Sequence, residues 1–187
     1  MKLILASQSP RRRELLSLLH MDFTISPASC DETIPPHTPA PQAAELLAVR
    51  KAALVAKQHP DAVVIGADTT VIVEDTILGK PEGREECCAM LRLLSGRTHS
   101  VCTGVAIFWA GKSISFTEQT AVTFFPLSDD EINAYADTDE PYDKAGGYGI
   151  QGSGGLFVSE IHGDFNNVVG LPVARLNRYL KKLGIIG

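Results

Sequence analysis

Apolar positions along the chain recur at two spacings, one suited to helices and one to strands. Leu3 to Ala6 is a short apolar run followed by Ser9-Pro10 and then by Leu15, Leu16, Leu18 and Leu19. This predicts a strand, a tight turn and an amphipathic helix with Ser9 as N-cap and Pro10 in the first helical position. Phe23 to Ser26 is a second short strand, and the proline-rich stretch Pro27 to Pro41 is expected to be a long ordered loop. Gln42 to Gln58 is rich in Ala and Leu and reads as a helix; Ala62 to Val73 is apolar apart from Asp68, Thr69 and Thr70 and reads as a buried strand. A helix from Gly83 to Leu94 is followed by Val101 to Trp109 and Ser113 to Phe125, β-rich segments joined at Ala110-Gly111 as a hairpin. Ser128 with Glu131 forms a capping-box pattern for a short helix. After the glycine-rich stretch Ala145 to Gly155 come a strand, Leu156 to Ile161, and a last helix from Pro172 to about Lys182. The mixture predicts an α/β fold with a mixed sheet, and no linker divides residues 1–187 into separate domains.

Composition narrows the class. The 187 residues are 44% hydrophobic and 21% charged, enough for one sizeable core. Lys plus Arg number 17 against 22 Asp plus Glu, a net charge of -5, which argues against stable binding of nucleic acid. No apolar run approaches the roughly 20 residues of a membrane span. The start MKLILASQSPRRR turns polar and basic too early for a secretory signal, so no membrane association and a cytoplasmic location are expected. Cys30, Cys87, Cys88 and Cys102 form no CxxC pair and read as reduced, partly buried thiols.

Three features carry chemistry. Arg11, Arg12 and Arg13 fall in a predicted first helical turn, where each cation costs about 0.3–1 kcal/mol against the macrodipole. A phosphate held by free N–H groups, the Ser7 and Ser9 hydroxyls and the guanidinium forks would offset that cost; the alternative is three solvated arginines with Glu14 as a local partner. Asp68 lies inside a buried strand, on the face of Val64, Gly66, Thr70 and Ile72, with Thr69 pointing the other way. A carboxylate there is expensive unless it is paired, hydrogen-bonded or bound to a metal, so a tuned catalytic group and a structural ion pair both fit. Lys51 lies on the apolar side of its helix, Lys80 in the turn LGKP, and Lys144 before the glycines of DKAGGYGIQG. Singly, each is better read as a lysine stem on apolar surface with its head in water than as a substrate ligand.

Five motifs in order, ASQSPRRRELL (Ala6 to Leu16), GADTTV (Gly66 to Val71), LGKP (Leu78 to Pro81), DKAGGYGIQG (Asp143 to Gly152) and NVVGLP (Asn167 to Pro172), span nearly the whole chain. With them the sequence resembles the Maf family of nucleoside triphosphate pyrophosphatases. The resemblance implies a mixed-sheet Maf/ITPase-like α/β fold with a central cleft, a homodimer, and a divalent metal cofactor, Mg or Mn. It also implies cleavage of a nucleoside triphosphate between its α and β phosphates, giving a monophosphate and pyrophosphate. Asp68 matches the family's proton acceptor, and Arg11, Thr69 and Gln151 match the positions associated with substrate preference. Arg, Thr and Gln at these positions resemble the dTTP/UTP branch; the 7-methyl-GTP branch carries Gln after the strand Asp and Glu in place of Gln.

Physical chemistry gives these residues roles. Charge builds on phosphoryl oxygens as the anhydride breaks, so Ser7, Arg12, Lys51, Lys80 and Lys144 are expected around the phosphates. Asp68 would orient a water or hold the metal, with Glu32 from the long loop as a second ligand. The Gln151 amide offers both a donor and an acceptor to the N3–H and O4 edge of uracil or thymine. The competing reading is a nucleotide-binding regulator of cell division or septum formation with incidental hydrolysis.

Overall fold

The structure, a computed structural model, describes residues 2–187. The chain order is Leu3–Leu5 (β1), Pro10–Ser17 (α1), Phe23–Ile25 (β2), Ala40–Gln58 (α2), Val63–Val73 (β3), Thr76–Leu78 (β4) and Arg84–Leu94 (α3). Then follow Thr98–Trp109 (β5), Lys112–Phe124 (β6), Asp129–Ala136 (α4), Val158–His162 (β7), Phe165–Val169 (α5) and Val173–Lys182 (α6). All seven strands join one sheet in the order β2-β1-β3-β5-β6-β7, with β4 also on β3. The first three are parallel and the rest antiparallel, the mixed sheet that the strand types predict.

Two helices on opposite faces build the parallel part. Leu15 and Leu16 of α1 pack with Leu3, Leu5, Val63 and Ile65 on one face, while Ala48, Ala52 and Val55 of α2 pack with Ile4, Val64 and Ala106 on the other. The helix α2 lies unusually close to the sheet. A Cβ on Gly66 would meet the Ala48 carbonyl and Ala52, and one on Gly104 would overlap the backbone at Ala44 and Glu45. These glycines, with the small Ala106, let the helix axis come down onto β3 and β5.

On the α1 face the core is divided. Val63, Ile65 and Ala67 belong to one cluster with α1 and α6, whereas Val71 and Val73 belong to another with α3 and α4. Thr69 occupies the position between them. At the same height β3 loses a neighbour: β1 pairs it as far as Ile65, and β4 takes over only at Val71. From Ala67 to Thr70 that edge is open, and Asp68 and Thr69 are the only residues of β3 that are not fully buried. A cleft at the carboxyl end of the parallel strands is where ligands settle in open α/β sheets.

Several boundaries differ from expectation. Helix α2 begins at Ala40 rather than Gln42, because Pro41 sits in the first turn, where its missing N–H is not needed. The strand expected from Leu156 begins at Val158; Ser153–Phe157 forms a 3-10 turn that leaves Leu156 82% exposed. Strand β4 follows a two-residue turn at Glu74 and Asp75, both at positive φ, a hairpin without the glycine that would announce it. Helix α5 spans five residues, too short for periodicity to mark, and is capped by Asp164. The hairpin at Ala110-Gly111, the Ser9 cap and the Ser128–Glu131 capping box are present as expected.

The close approach of α2 yields a prediction. Gly104→Ala places a methyl against backbone and is expected to cost about 1–3 kcal/mol, the usual range for overpacking. Urea denaturation measures it; unchanged stability would show that the helix has room to retreat.

Candidate active site

The open edge of β3 forms the floor of a cleft of about 630 Å³, and a neighbouring lobe of about 570 Å³ extends it along the Ala6–Arg12 segment. Asp68 points toward α2. There the Lys51 ammonium donates to its Oδ1 at 2.5 Å and lies 2.7 Å from Glu32 Oε1. The Lys51 and Asp68 side chains are each only 13% exposed, while Glu32 is 62% exposed. Burial works against the Lys51 charge, but Asp68 and then Glu32 outweigh it, holding the ammonium above the usual lysine range. The hydrogen bond from Lys51 in turn lowers the Glu32 carboxyl. Arg50, one residue before Lys51, donates to the Asp31 and Thr33 carbonyls on either side of Glu32. The same helix thus supplies the lysine and fixes the loop that brings the second carboxylate.

The three arginines separate. Arg12 turns back into the protein: Nε donates to the Gly170 carbonyl at 2.9 Å, Nη2 to Thr69 Oγ1 at 3.0 Å and Nη1 to Ser7 Oγ at 3.4 Å. Burial pulls this guanidinium below its ordinary pKa, with Asp68 opposing. Arg11 reaches across the cleft mouth to Asp143 at 3.1 Å, whose other oxygen accepts from Lys144 at 2.6 Å. Arg13 stays exposed. The local partnership with Glu14, which belongs to the alternative reading of three solvated arginines, is absent from the ion pairs among the described residues.

Ser7, Arg11, Arg12, Lys51, Lys80, Asp68 and Glu32 therefore meet around one cavity system, although they come from five separate segments. Lys144, Thr69 and Gln151 line the larger lobe. Lys80 and Gln151 are exposed and are the members of this set without a side-chain hydrogen bond or ion pair among the described residues. Thr69 is tied down instead. The Thr103 hydroxyl donates to the Asn167 carbonyl, so the 2.9 Å contact between the two threonines is donated by Thr69, whose oxygen accepts from Arg12. Sequence reading passed over Glu140, Asp143, Tyr148 and Thr103. Asp143 and Tyr148 lay in the motif DKAGGYGIQG beside Lys144 and Gln151; Thr103 carried no signal beyond its place in an apolar strand.

The donor set for a divalent cation can be judged from its chemistry. Asp68 and Glu32 converge on one ammonium, so a positive charge already stands between two carboxylates. No cluster of three or more His, Cys, Asp or Glu side chains occurs among the described residues. Two carboxylates fit Mg or Mn, which are held by one or two such ligands together with water and substrate phosphate. They do not fit a closed structural site.

The fold and site define a mixed α/β protein whose central cleft gathers cations around a partly buried carboxylate. A family model described as "Maf-like protein" matches residues 2–183, and the chain belongs to that family. It is 50% identical over 184 residues to a protein of Bacillus cereus (strain ATCC 14579) named dTTP/UTP pyrophosphatase, covering 98% of this chain and 96% of the relative. It is likewise 50% identical to a Bacillus velezensis protein of the same name, covering 98% and 97%. Among solved structures, the Staphylococcus aureus Ham1 protein superposes with a TM-score of 0.50 at 15% identity, over 66% of this chain and 72% of that one; the likeness concerns the fold. Among the described residues no helix is long and apolar enough to cross a membrane.

Beneath the cleft, Tyr148 donates to or accepts from His99 Nε2 at 2.8 Å, and both rings meet Phe124 edge-on. His99 is 2% exposed, and burial pushes its pKa down to about 4. The unfolded chain therefore binds the His99 proton first as pH falls, so this contribution to stability is complete above pH 6.5 and is lost toward pH 4. Between pH 7 and 5 the parent should lose about 2 kcal/mol more than His99→Gln, whose side chain does not titrate. Denaturant titrations at the two pH values check this; equal losses would mean that the histidine is not held neutral.

Proposed function

We propose that this cleft hydrolyses dTTP and UTP to the monophosphate and pyrophosphate, with modified pyrimidine triphosphates as further substrates. The observation that carries this reading is the pairing of Asp68 with Lys51 at the open edge of β3, with Arg12, Lys80 and Lys144 facing the same cavity system. A carboxylate in reach of solvent can orient a water and take its proton. The surrounding cations stabilise the charge that grows on the phosphoryl oxygens and on departing pyrophosphate.

In this reading the triphosphate lies along the lobe shared by Ser7, Arg11, Arg12, Lys51 and Lys80, and the nucleoside enters the larger lobe. Its phosphates replace Asp143 as the partner of Arg11 and Lys144. Leu47, Val101, Tyr148 and Ile150 would offer the base an apolar wall, and the unpartnered Gln151 amide, which lines the same lobe, would meet its N3–H and O4 edge. Thr69 contributes by fixing Arg12, and Arg11 by closing the mouth. Asp68 and Glu32 would hold a divalent cation, Mg or Mn, which supplies charge neutralisation to the phosphates. The 50% identity to proteins named dTTP/UTP pyrophosphatase over nearly the full length supports the substrate class. Removal of unwanted nucleotides from a cytoplasmic pool and action as a homodimer belong to the same reading; the exposed Phe125 and Leu156 are apolar side chains that a second copy could cover.

Asp68→Asn keeps the side-chain shape and removes the charge. Pyrophosphate release from dTTP with magnesium should fall by about 10²-fold or more, the usual size of a general-base contribution. A variant as fast as the parent would refute the role given to Asp68.

A further inference from the structure

The stretch Gly149 to Gly155 contains four glycines and carries Gln151. By composition it should be loose, because glycine surrenders the most backbone entropy on ordering. It is instead held by one carboxylate from outside it. Glu140 Oε2 accepts from the Ser153 N–H at 2.9 Å, and Oε1 accepts from the Gly154 N–H at 3.1 Å and from the Tyr135 hydroxyl at 2.9 Å. The Tyr135 oxygen in turn accepts from the Gly149 N–H at 3.1 Å. The loop is therefore pinned on both sides of Gln151, which itself has no hydrogen-bond partner among the described residues. The loop lies close against these side chains: a Cβ on Gly152 would overlap the Glu140 carboxylate, and one on Gly149 would overlap the Lys144 stem. The Lys144 ammonium completes the unit by donating to the Glu140 carbonyl at 2.5 Å. Burial works against the Glu140 charge, but the Gly154 and Ser153 N–H groups outweigh it and keep the carboxyl below its ordinary range.

We propose that Glu140 is a positioning residue for substrate selection: its carboxylate, with the Tyr135 hydroxyl, fixes the distance between the Gln151 amide and the phosphate-binding cations. The inference rests on the proposed reading of the base by Gln151. A fixed distance selects by reach. Guanine presents the same pairing of ring N–H donor and carbonyl acceptor as thymine, but on a longer, two-ring base, so an amide at fixed distance accepts thymine and excludes guanine. Were the loop free to move, Gln151 could withdraw and meet either base. Glu140 touches no substrate in this account and acts only through the loop.

The test is a double-mutant cycle with Glu140→Gln and Gln151→Ala, read as the ratio of kcat/KM for dTTP to that for dGTP. Glu140→Gln should lower the ratio about tenfold, the scale of losing charge-assisted hydrogen bonds. It should lower it no further when Gln151 is already alanine. Tyr135→Phe, which removes the bridge to Gly149 and leaves the carboxylate, should lower the ratio in the same direction by less. Amide hydrogen exchange at Ser153 and Gly154 should accelerate in Glu140→Gln whether or not Gln151 is present. A ratio that falls in Gln151→Ala but not in either Glu140→Gln or Tyr135→Phe would overturn the positioning role while leaving the base-reading role intact. A parental ratio in Gln151→Ala would overturn the base-reading role itself. Additive losses in the double variant would also contradict the proposal, since Glu140 would then act independently of Gln151.

Discussion

The contact between the Lys51 ammonium and Asp68 is the constraint around which the cleft is organised. A carboxylate in the middle of an apolar strand is costly without a partner, and the partner must come from a helix lying across the strand. An ordinary helix-to-sheet distance would leave the lysine extended toward solvent. Glycine at 66 and 104 removes the side chains that would hold α2 away, and Ala44, Ala48 and Ala52 present the helix's smallest surface to them. Packing and charge are therefore two parts of one arrangement: the seam of small residues sets the height of α2, and that height sets the ion pair. Removing one partner of such a pair typically costs about 3–5 kcal/mol, because the other charge is left stranded.

The remaining charges follow a common pattern. Every cation near the cleft except Lys80 is occupied by protein groups: Arg12 by the Gly170 carbonyl and two hydroxyls, Arg11 and Lys144 by Asp143, Lys51 by Asp68 and Glu32. Lys80 alone among them has no such partner in the described residues. The arrangement keeps the side chains ordered, and in the proposed reaction an entering phosphate chain would exchange with the exposed partners, Asp143 and Glu32, at little cost in desolvation. The net charge of -5 belongs to the molecule as a whole, whereas the cleft is locally basic. A small polyanion samples the second and not the first.

Much of this was legible in the sequence, for identifiable reasons. The carboxylate stood out because Asp68 interrupts an apolar strand, and the arginines because they oppose a helix dipole. Those anomalies mark sites since folding alone would not favour them. The open edge of β3 left no trace, because β4 returns through Glu74 and Asp75 without a glycine, and the gap between β1 and β4 exists only once both are paired. Glu140 was silent for a related reason: nothing in one dimension connects it to backbone N–H groups thirteen and fourteen residues onward. Thr69 was legible as a position but not as a role, since its hydroxyl's direction depends on Thr103 and Asn167 far along the chain.

In the proposed reaction Asp68 directs water to the α-phosphorus while the cations hold the departing pyrophosphate. Hydrolysis of dTTP in ¹⁸O-labelled water, followed by mass spectrometry of the products, tests this most directly. The account predicts one labelled oxygen in the nucleoside monophosphate and unlabelled pyrophosphate. Label in the pyrophosphate, or release of orthophosphate in its place, would contradict it.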